Sequence, residues 1–332
     1  MLLARKTFGG EARKCFIGII LYFLDINHEG EKRTKCSLII LMVFCLLKTR
    51  YQGGKFMTYP NDLDYWIEKW QKKEQNVTAC TSFWNSRARS YNQDVVLPQT
   101  PSNDVVTMLQ KKGILEKGSK VLDIGCGPGR YVLAMAKECK EVTALDISQE
   151  MLQYLKIHVR KLDLNNVITC KNNWEAIDLV EYGWEKKFDL VFASMTPGIY
   201  NFSTLKKMLE ASSGYCYLSG FIQRETGLWD ILEKEILGEN NAGKQKEDKI
   251  YHAFNILWNL GYHPEIVYEE KNWEHQWALE EIVDLYIQRF EIKNPITEKD
   301  KEKIKQHLSS HEKDGKVIEK TEAKTAALIW KV

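Results

Sequence analysis

The chain has 332 residues, enough for one large domain or two ordinary ones with a sizeable buried core. Its formal net charge of +2 creates no field that requires a nucleic acid or an anionic membrane as partner. The eight cysteines are scattered, with no C-x-x-C pair and no zinc-ligand spacing, which argues for reduced thiols in a cytoplasmic protein and predicts no metal site.

Residues 1–56 differ from the rest, with apolar runs at 15–26 and 36–47 around a charged segment at 27–35. Both runs fall short of the roughly 20 apolar residues that span a bilayer, and no small-residue cleavage site follows the first. The sequence Gly53-Gly54-Lys55-Phe56 ahead of Met57 is what a purine-rich ribosome-binding site would encode if translated. The expectation is therefore a natural start at Met57, with 1–56 as an extension; a membrane anchor there is the alternative.

Residues 57–100 read as a helical, substrate-side lid. Asn61 can cap a helix carrying Leu63, Trp66, Ile67 and Trp70 at helical spacing. A second helix carries Phe83, Trp84, Arg87, Ala88 and Tyr91 on one face. Arg87 lies in line with the apolar stripe, so it needs an anionic or carbonyl partner. Pro98 and Pro101 break the chain, and Ser102 can cap a helix running to Gly113.

A main domain over 101–332 then follows in βαβ rhythm. Residues 121–124 are of strand type and run into glycines at alternate positions, Gly125, Gly127 and Gly129. Such a turn, with a helix behind it, is expected to face a ligand with backbone N–H groups and a helix N-terminus, free of Cβ atoms. A dinucleotide site reads G-x-G-x-x-G, but here the third glycine comes one residue early and Arg130 stands in its place. Asp123, just before the first glycine, suits a cationic group and would repel a pyrophosphate. Cys126 is small enough to fit within the turn. Residues 141–146 form a second strand ending in Asp146, an acid positioned to accept ribose hydroxyls. Ser148 caps a helix to about Arg160, and 167–171 form a third strand followed by Asn172, Asn173 and Trp174.

The D-x-G-x-G-x-G run with Asp146 downstream resembles the first motifs of class I S-adenosylmethionine (SAM)-dependent methyltransferases. That donor carries an ammonium and a sulfonium and no phosphate, so the charges match. Residues 83–91 resemble the W-x-x-R-A-x-x-Y segment ahead of the core in small-molecule members, whose helices close over the cofactor. The resemblance implies an α/β fold: a three-layer Rossmann-like sheet of about seven strands, helices on both faces, the last strand antiparallel. It implies SAM contacts from Asp123, Gly125, Cys126, Gly127, Gly129, Asp146, Ile147, Asn173, Trp174 and Ser194. Trp174 either stacks on the base or covers the core edge. Substrate contacts fall to Trp84, Arg87, Tyr91, Thr196 and Trp273.

Residues 188–193 are a buried parallel strand leading into the loop at 194–198. That loop lacks the Asn/Asp-Pro-Pro-aromatic signature of enzymes that methylate base amines, which counts against base methylation. A helix around Leu205 and a fifth strand at 215–219 follow. Beyond a polar loop at 238–249 come a helix at 250–260, closed by Gly261, and a strand at 264–270. Residues 273–277 connect to an amphipathic helix through Phe290, a charged helix spans 298–308, and 326–331 close the chain as a strand. Helical insertions are thus expected around 222–260 and 273–310.

Methyl transfer from a sulfonium is an in-line displacement, so the protein mainly supplies alignment and exclusion of water. A general base is needed only when the acceptor is protonated at working pH. His275 and Thr196 are the catalytic candidates, with His252 as a further possible base. The expectation is methyl transfer to a small molecule. The alternatives are a SAM-binding regulatory or accessory protein without turnover, and an RNA or protein methyltransferase.

Overall fold

A computed structural model of the protein describes residues 49–52, 55–58, 63–71, 76–93, 95, 104–238, 248–293 and 296–332. The apolar runs of 1–48, the caps Asn61 and Ser102, the breaks at Pro98 and Pro101, and most of the 238–249 loop lie outside them. The chain divides into two units, 1–61 and 62–332. In the first, β1 (Thr49–Gln52) pairs antiparallel with β2 (Lys55–Thr58), and Met57 stands opposite Arg50. No helix among the described residues is long and apolar enough to cross a membrane.

The second unit begins with α1 (Leu63–Lys69), α2 (Val77–Gln93) and α3 (Asp104–Lys111). It then builds five parallel strands: β3 (Lys120–Ile124), β4 (Glu141–Asp146), β5 (Val167–Lys171), β6 (Phe188–Ser194) and β7 (Ser212–Thr226). Helices α4 (Val132–Ala136), α5 (Gln149–Lys161) and α6 (Phe202–Ala211) lie between them. The side chains of β3 alternate between two cores. Val121 joins Leu133, Leu155 and Leu109 on one face, while Leu122 joins Leu205 and Met208 on the other. Leu190 and Val191 of β6 divide in the same way, so the sheet is the middle of three layers. Each fully buried Leu, Val or Phe stabilises this arrangement by roughly 1.5–3 kcal/mol.

The strand order is β5-β4-β3-β6-β7-β10-β8. From β3 the chain steps outward to β4 and β5, then returns to β6 on the other side. That reversal separates the connections leaving β3 and β6 and opens a crevice at the carboxyl ends of the strands.

Past β7 come α7 (Gly227–Leu237), α8 (Lys249–Asn259), β8 (Glu265–Ala278), α9 (Leu279–Lys293), α10 (Glu298–Ser309), β9 (Glu312–Lys313) and β10 (Lys316–Lys331). Strand β10 runs antiparallel between β7 and β8, with β9 folded onto its start. These strands are longer than their apolar cores suggest. Residues 273–277, expected as a connection, continue β8, with Trp273 opposite Thr321 and Trp277 opposite Val317. Lys271, Trp273, His275 and Trp277 are half-buried on one side, and Asn272, Glu274 and Gln276 are exposed on the other. The expected insertions at 222–260 and 273–310 accordingly begin in strand, at 222–226 and 273–278, before turning helical. The extended ends of this ribbon and helices α7, α9 and α10 share a third core of Trp229, Leu232, Ile282, Tyr286, Phe290, Ile304, Leu308 and Val317. Within it the buried Tyr286 hydroxyl donates to the buried Glu319 carboxylate, and Arg289 lies 3.8 Å over the Trp229 ring.

Candidate functional site

The glycine turn after β3 takes left-handed backbone at Gly125 (φ +74°), Gly127 (φ +55°) and Gly129 (φ +104°). The three glycines have different neighbours. A Cβ on Gly125 would overlap the Thr196 hydroxyl, and one on Gly129 would come 2.5 Å from Leu155 Cδ1. A Cβ on Gly127 would meet nothing within 4 Å, because that position opens onto the crevice.

The amides of the turn point inward. Gly125 N and Cys126 N donate to the Leu145 carbonyl at 2.7 and 3.0 Å, and Gly129 N donates to the Cys126 carbonyl at 3.2 Å. Gly127 N donates to Asp146 Oδ2 at 2.8 Å, and Pro128 has no N–H. The expectation that these N–H groups face a ligand is therefore corrected: β4 lies alongside and takes those of Gly125, Cys126 and Gly127, and the turn itself takes that of Gly129. The turn is not an anion cradle.

Two acids sit beneath it. Asp146 is 8 % exposed; its Oδ1 accepts from Ser148 N at 2.8 Å while Oδ2 holds Gly127. Burial raises its pKa, and the Ser148 and Gly127 N–H groups oppose that rise. Asp123 is 2 % exposed, and its Oδ2 has no hydrogen-bond partner among the described residues. Burial, and then the charge of Asp146, push its pKa well above the usual carboxylate range.

Helix α2 roofs the cleft. Cys80, Trp84 and Tyr91 line it from one helix face, with the Trp84 and Tyr91 rings edge-on at 5.6 Å. Two polar pairs fix this helix to α5. Ser148 Oγ donates to Asn85 Oδ1 at 2.7 Å, and His158 Nε2 stands 2.6 Å from Asn92 Oδ1. The opposite wall is the loop after β6. There Met195 holds φ +54°, its amide reaching the Ser219 carbonyl and hydroxyl, both at 3.2 Å. Ser194 Oγ meets the same Ser219 hydroxyl at 3.0 Å, and Lys249 Nζ donates to the Thr196 carbonyl at 3.0 Å.

The cleft brings together Gly125, Cys126, Gly127, Asp146, Ile147, Asn173, Trp174 and Ser194 of the expected donor residues, and Trp84, Tyr91 and Thr196 of the expected acceptor residues. Asp123 and Gly129 lie behind this lining. Trp174 is 2 % exposed, donates its indole N–H to the Thr204 carbonyl at 3.0 Å and belongs to the core, so little of its face is open to a base. Arg87 is outside the lining, stacked 4.9 Å from the Trp277 ring and 5.8 Å from the Tyr91 ring. Trp273 is also outside, against Phe221 at 6.2 Å, and His275 lies on Trp277 at 5.4 Å. Thr196 Oγ1 accepts from Gly198 N at 3.1 Å and braces Gly125. His252 packs with Trp66 and Trp70 rather than in the cleft lining.

Among the lining residues that sequence reasoning missed are Cys80, Arg130, Tyr131, Met195 and Phe221. Cys80 precedes Trp84 by one helical turn, so helical spacing could have found it. Phe221 lies on the part of β7 that its apolar core did not reveal.

Residues 115–217 match a family model described as a methyltransferase domain. An uncharacterized protein of Haemophilus influenzae is 24% identical over 177 residues, covering 50% of this chain and 63% of that protein. A ubiquinone biosynthesis O-methyltransferase of Pectobacterium carotovorum is 33% identical over 93 residues, 28% of this chain and 32% of the relative. A histidine protein methyltransferase 1 homolog of Dictyostelium discoideum is 30% identical over 130 residues, 36% of this chain and 40% of the relative. The matched region thus spans less than two thirds of each relative's length.

Proposed function

The chain belongs to the class I SAM-dependent methyltransferases, and we propose on that premise that it transfers the methyl group of SAM to a small-molecule acceptor. The observation that carries this reading is the turn with its amides engaged and the two acids Asp123 and Asp146 beneath it. Such a floor disfavours a pyrophosphate and favours a cationic, phosphate-free donor.

In this reading Asp146 receives the ribose. Each of its oxygens already accepts one N–H and keeps a lone pair for a hydroxyl. The adenine lies toward Asn172 and Asn173, and the methionine moiety passes over the open side of Gly127. The acceptor enters between Trp84, Tyr91, Phe221 and Met195. Its lone pair attacks the methyl carbon as the carbon–sulfur bond breaks, leaving a neutral thioether. Where the acceptor atom carried a proton, that proton passes to solvent. Alignment and a water-poor cleft are the protein's contributions. His275 lies off the cleft and the Thr196 hydroxyl is bonded to Gly198, so no general base is assigned.

The small acceptor is supported by the roof of α2 over the cleft and by the missing base-amine signature at 194–198. Among the relatives, one name places methylation in ubiquinone biosynthesis and another on protein histidine. The free thiols of Cys80, Cys126, Cys139, Cys170 and Cys216 fit a cytoplasmic setting. The test supplies SAM with an isotope-labelled methyl group together with separated metabolite, protein and RNA fractions. Label should appear on one metabolite. Label confined to protein or RNA would overturn the acceptor class, and SAM binding without turnover in any fraction would favour an accessory role.

A further inference from the structure

We propose that Arg130 receives the carboxylate of the donor's methionine moiety, an inference that rests on the reading of the cleft as a SAM site. Three observations lead to it. First, a bound methionine moiety brings a full negative charge over Gly127, where the turn offers no amide. The N–H groups of Gly125, Cys126, Gly127 and Gly129 are all taken by Leu145, Asp146 and Cys126. Second, Asp146 lines the cleft and holds the Gly127 amide, so its carboxylate attracts the donor's ammonium and sulfonium and repels its carboxylate.

Third, Arg130 supplies the opposite charge within the same cleft lining. Among the described residues it is the one lysine or arginine lining the cleft. It is exposed, and no ion pair with another described residue engages it. Its guanidinium lies 5.8 Å from the Tyr131 ring. That ring packs on Phe192 at 5.0 Å, which stacks on Tyr217 at 4.5 Å, so the arginine rests against a fixed aromatic pile. A planar guanidinium there can meet a carboxylate with two parallel N–H···O bonds. Arg87 of α2 is set against Trp277 and Tyr91 and does not line the cleft. The donor's ammonium thus faces Asp146 and its carboxylate faces Arg130.

The experiment is calorimetric, with two ligands and three proteins. S-adenosylhomocysteine carries the carboxylate; its decarboxylated analogue keeps the adenosine, thioether and amine. The parent should prefer S-adenosylhomocysteine, and Arg130→Met should bind it about tenfold more weakly, the effect of losing one charged hydrogen-bonded contact. Affinity for the analogue should stay at the parent's value, which also reports an intact fold. Arg130→Lys should fall between the two. The proposal is overturned if Arg130→Met keeps the parent's ratio of affinities, or if it weakens both ligands alike as a packing residue would. A parent protein that binds neither ligand would overturn the donor reading itself, and this proposal with it.

Discussion

The backbone N–H of Gly127 donates to Asp146 Oδ2 at 2.8 Å, so the acid expected to take the donor's ribose also holds the glycine turn in shape. The second oxygen does the same for Ser148 N at the start of α5. Asp146→Asn tests this double duty. An amide has one oxygen, so either Gly127 or Ser148 would face an NH2 group and lose its acceptor. A buried N–H left unmade costs about 1–3 kcal/mol. The variant should lose thermal stability without ligand and bind S-adenosylhomocysteine at least tenfold more weakly. Unchanged melting by calorimetry would show that the turn does not depend on this carboxylate.

Gly125 and Gly127 share left-handed backbone but not surroundings, and alanine should separate them. Gly125→Ala drives a methyl group into the Thr196 hydroxyl, beside the strain of φ +74°. It should destabilise the fold, and Thr196→Gly on the same chain should restore part of the loss. Gly127→Ala meets open space, so only backbone strain of about 1 kcal/mol applies. Its main effect should be on donor affinity, because the methyl group projects into the cleft. Denaturant unfolding and calorimetry on the three variants check the order. Equal destabilisation by the two single substitutions would contradict the geometry.

The parallel half of the sheet and the glycine turn were legible because their signals are local. Val121 to Ile124, the glycines and Asp146 all fall within 26 residues, each in a short run with one period. The ribbon was not, because its evidence is distant and polar. Trp273 pairs with Thr321, and the half-buried side of β8 includes Lys271 and His275, polar residues that carry no apolar strand signal. The same tertiary choice moved Arg87 from the cleft to the Trp277 ring, since the partner of a helix face lies outside its own sequence. Trp174 was ambiguous for a physical reason: a loop indole serves a base or a core equally, and the Thr204 carbonyl decides for the core.

Asp123 is buried with one oxygen lacking a partner among the described residues, and burial with the nearby Asp146 raises its pKa. The sign follows directly. A carboxyl whose folded pKa lies above its unfolded 3.8 favours the folded state below that value and loses this contribution as pH rises through the folded pKa. Asp123→Asn removes the buried charge, so the ligand-free variant should melt higher than the parent, by a wider margin at alkaline than at acid pH. The same change should weaken SAM more than neutral-sulfur S-adenosylhomocysteine, because the lost partner is a cation's. Thermal melts across pH with both ligands check it. A variant less stable than the parent at alkaline pH would refute the account.

Helix α2, which lines the cleft, is pinned to α5 at Asn85–Ser148 and at Asn92–His158, and the second pin is sensitive to pH. His158 is 6 % exposed, with Nε2 at Asn92 Oδ1 and no partner for Nδ1 among the described residues. Neutral imidazole with its proton on Nε2 satisfies the pair; a second proton on Nδ1 would be buried without an acceptor. Burial, and then Lys161, lower its pKa from 6.5. For a base with a depressed folded pKa, the stabilisation is complete above the unfolded value and is lost as pH falls through 6.5 toward the folded one. Hydrogen exchange in Val77–Gln93, corrected for intrinsic rates, should therefore quicken on acidification across that window, and donor affinity should fall with it. His158→Phe keeps the ring's bulk and removes the titrating group, so its α2 should be looser than the parent's at neutral pH yet show a smaller pH response. Asn85→Ala should loosen α2 by a similar amount at every pH, since neither Asn85 nor Ser148 titrates. Protection of α2 that stays constant from neutral to acid pH in the parent would rule out His158 as the pH-sensitive pin.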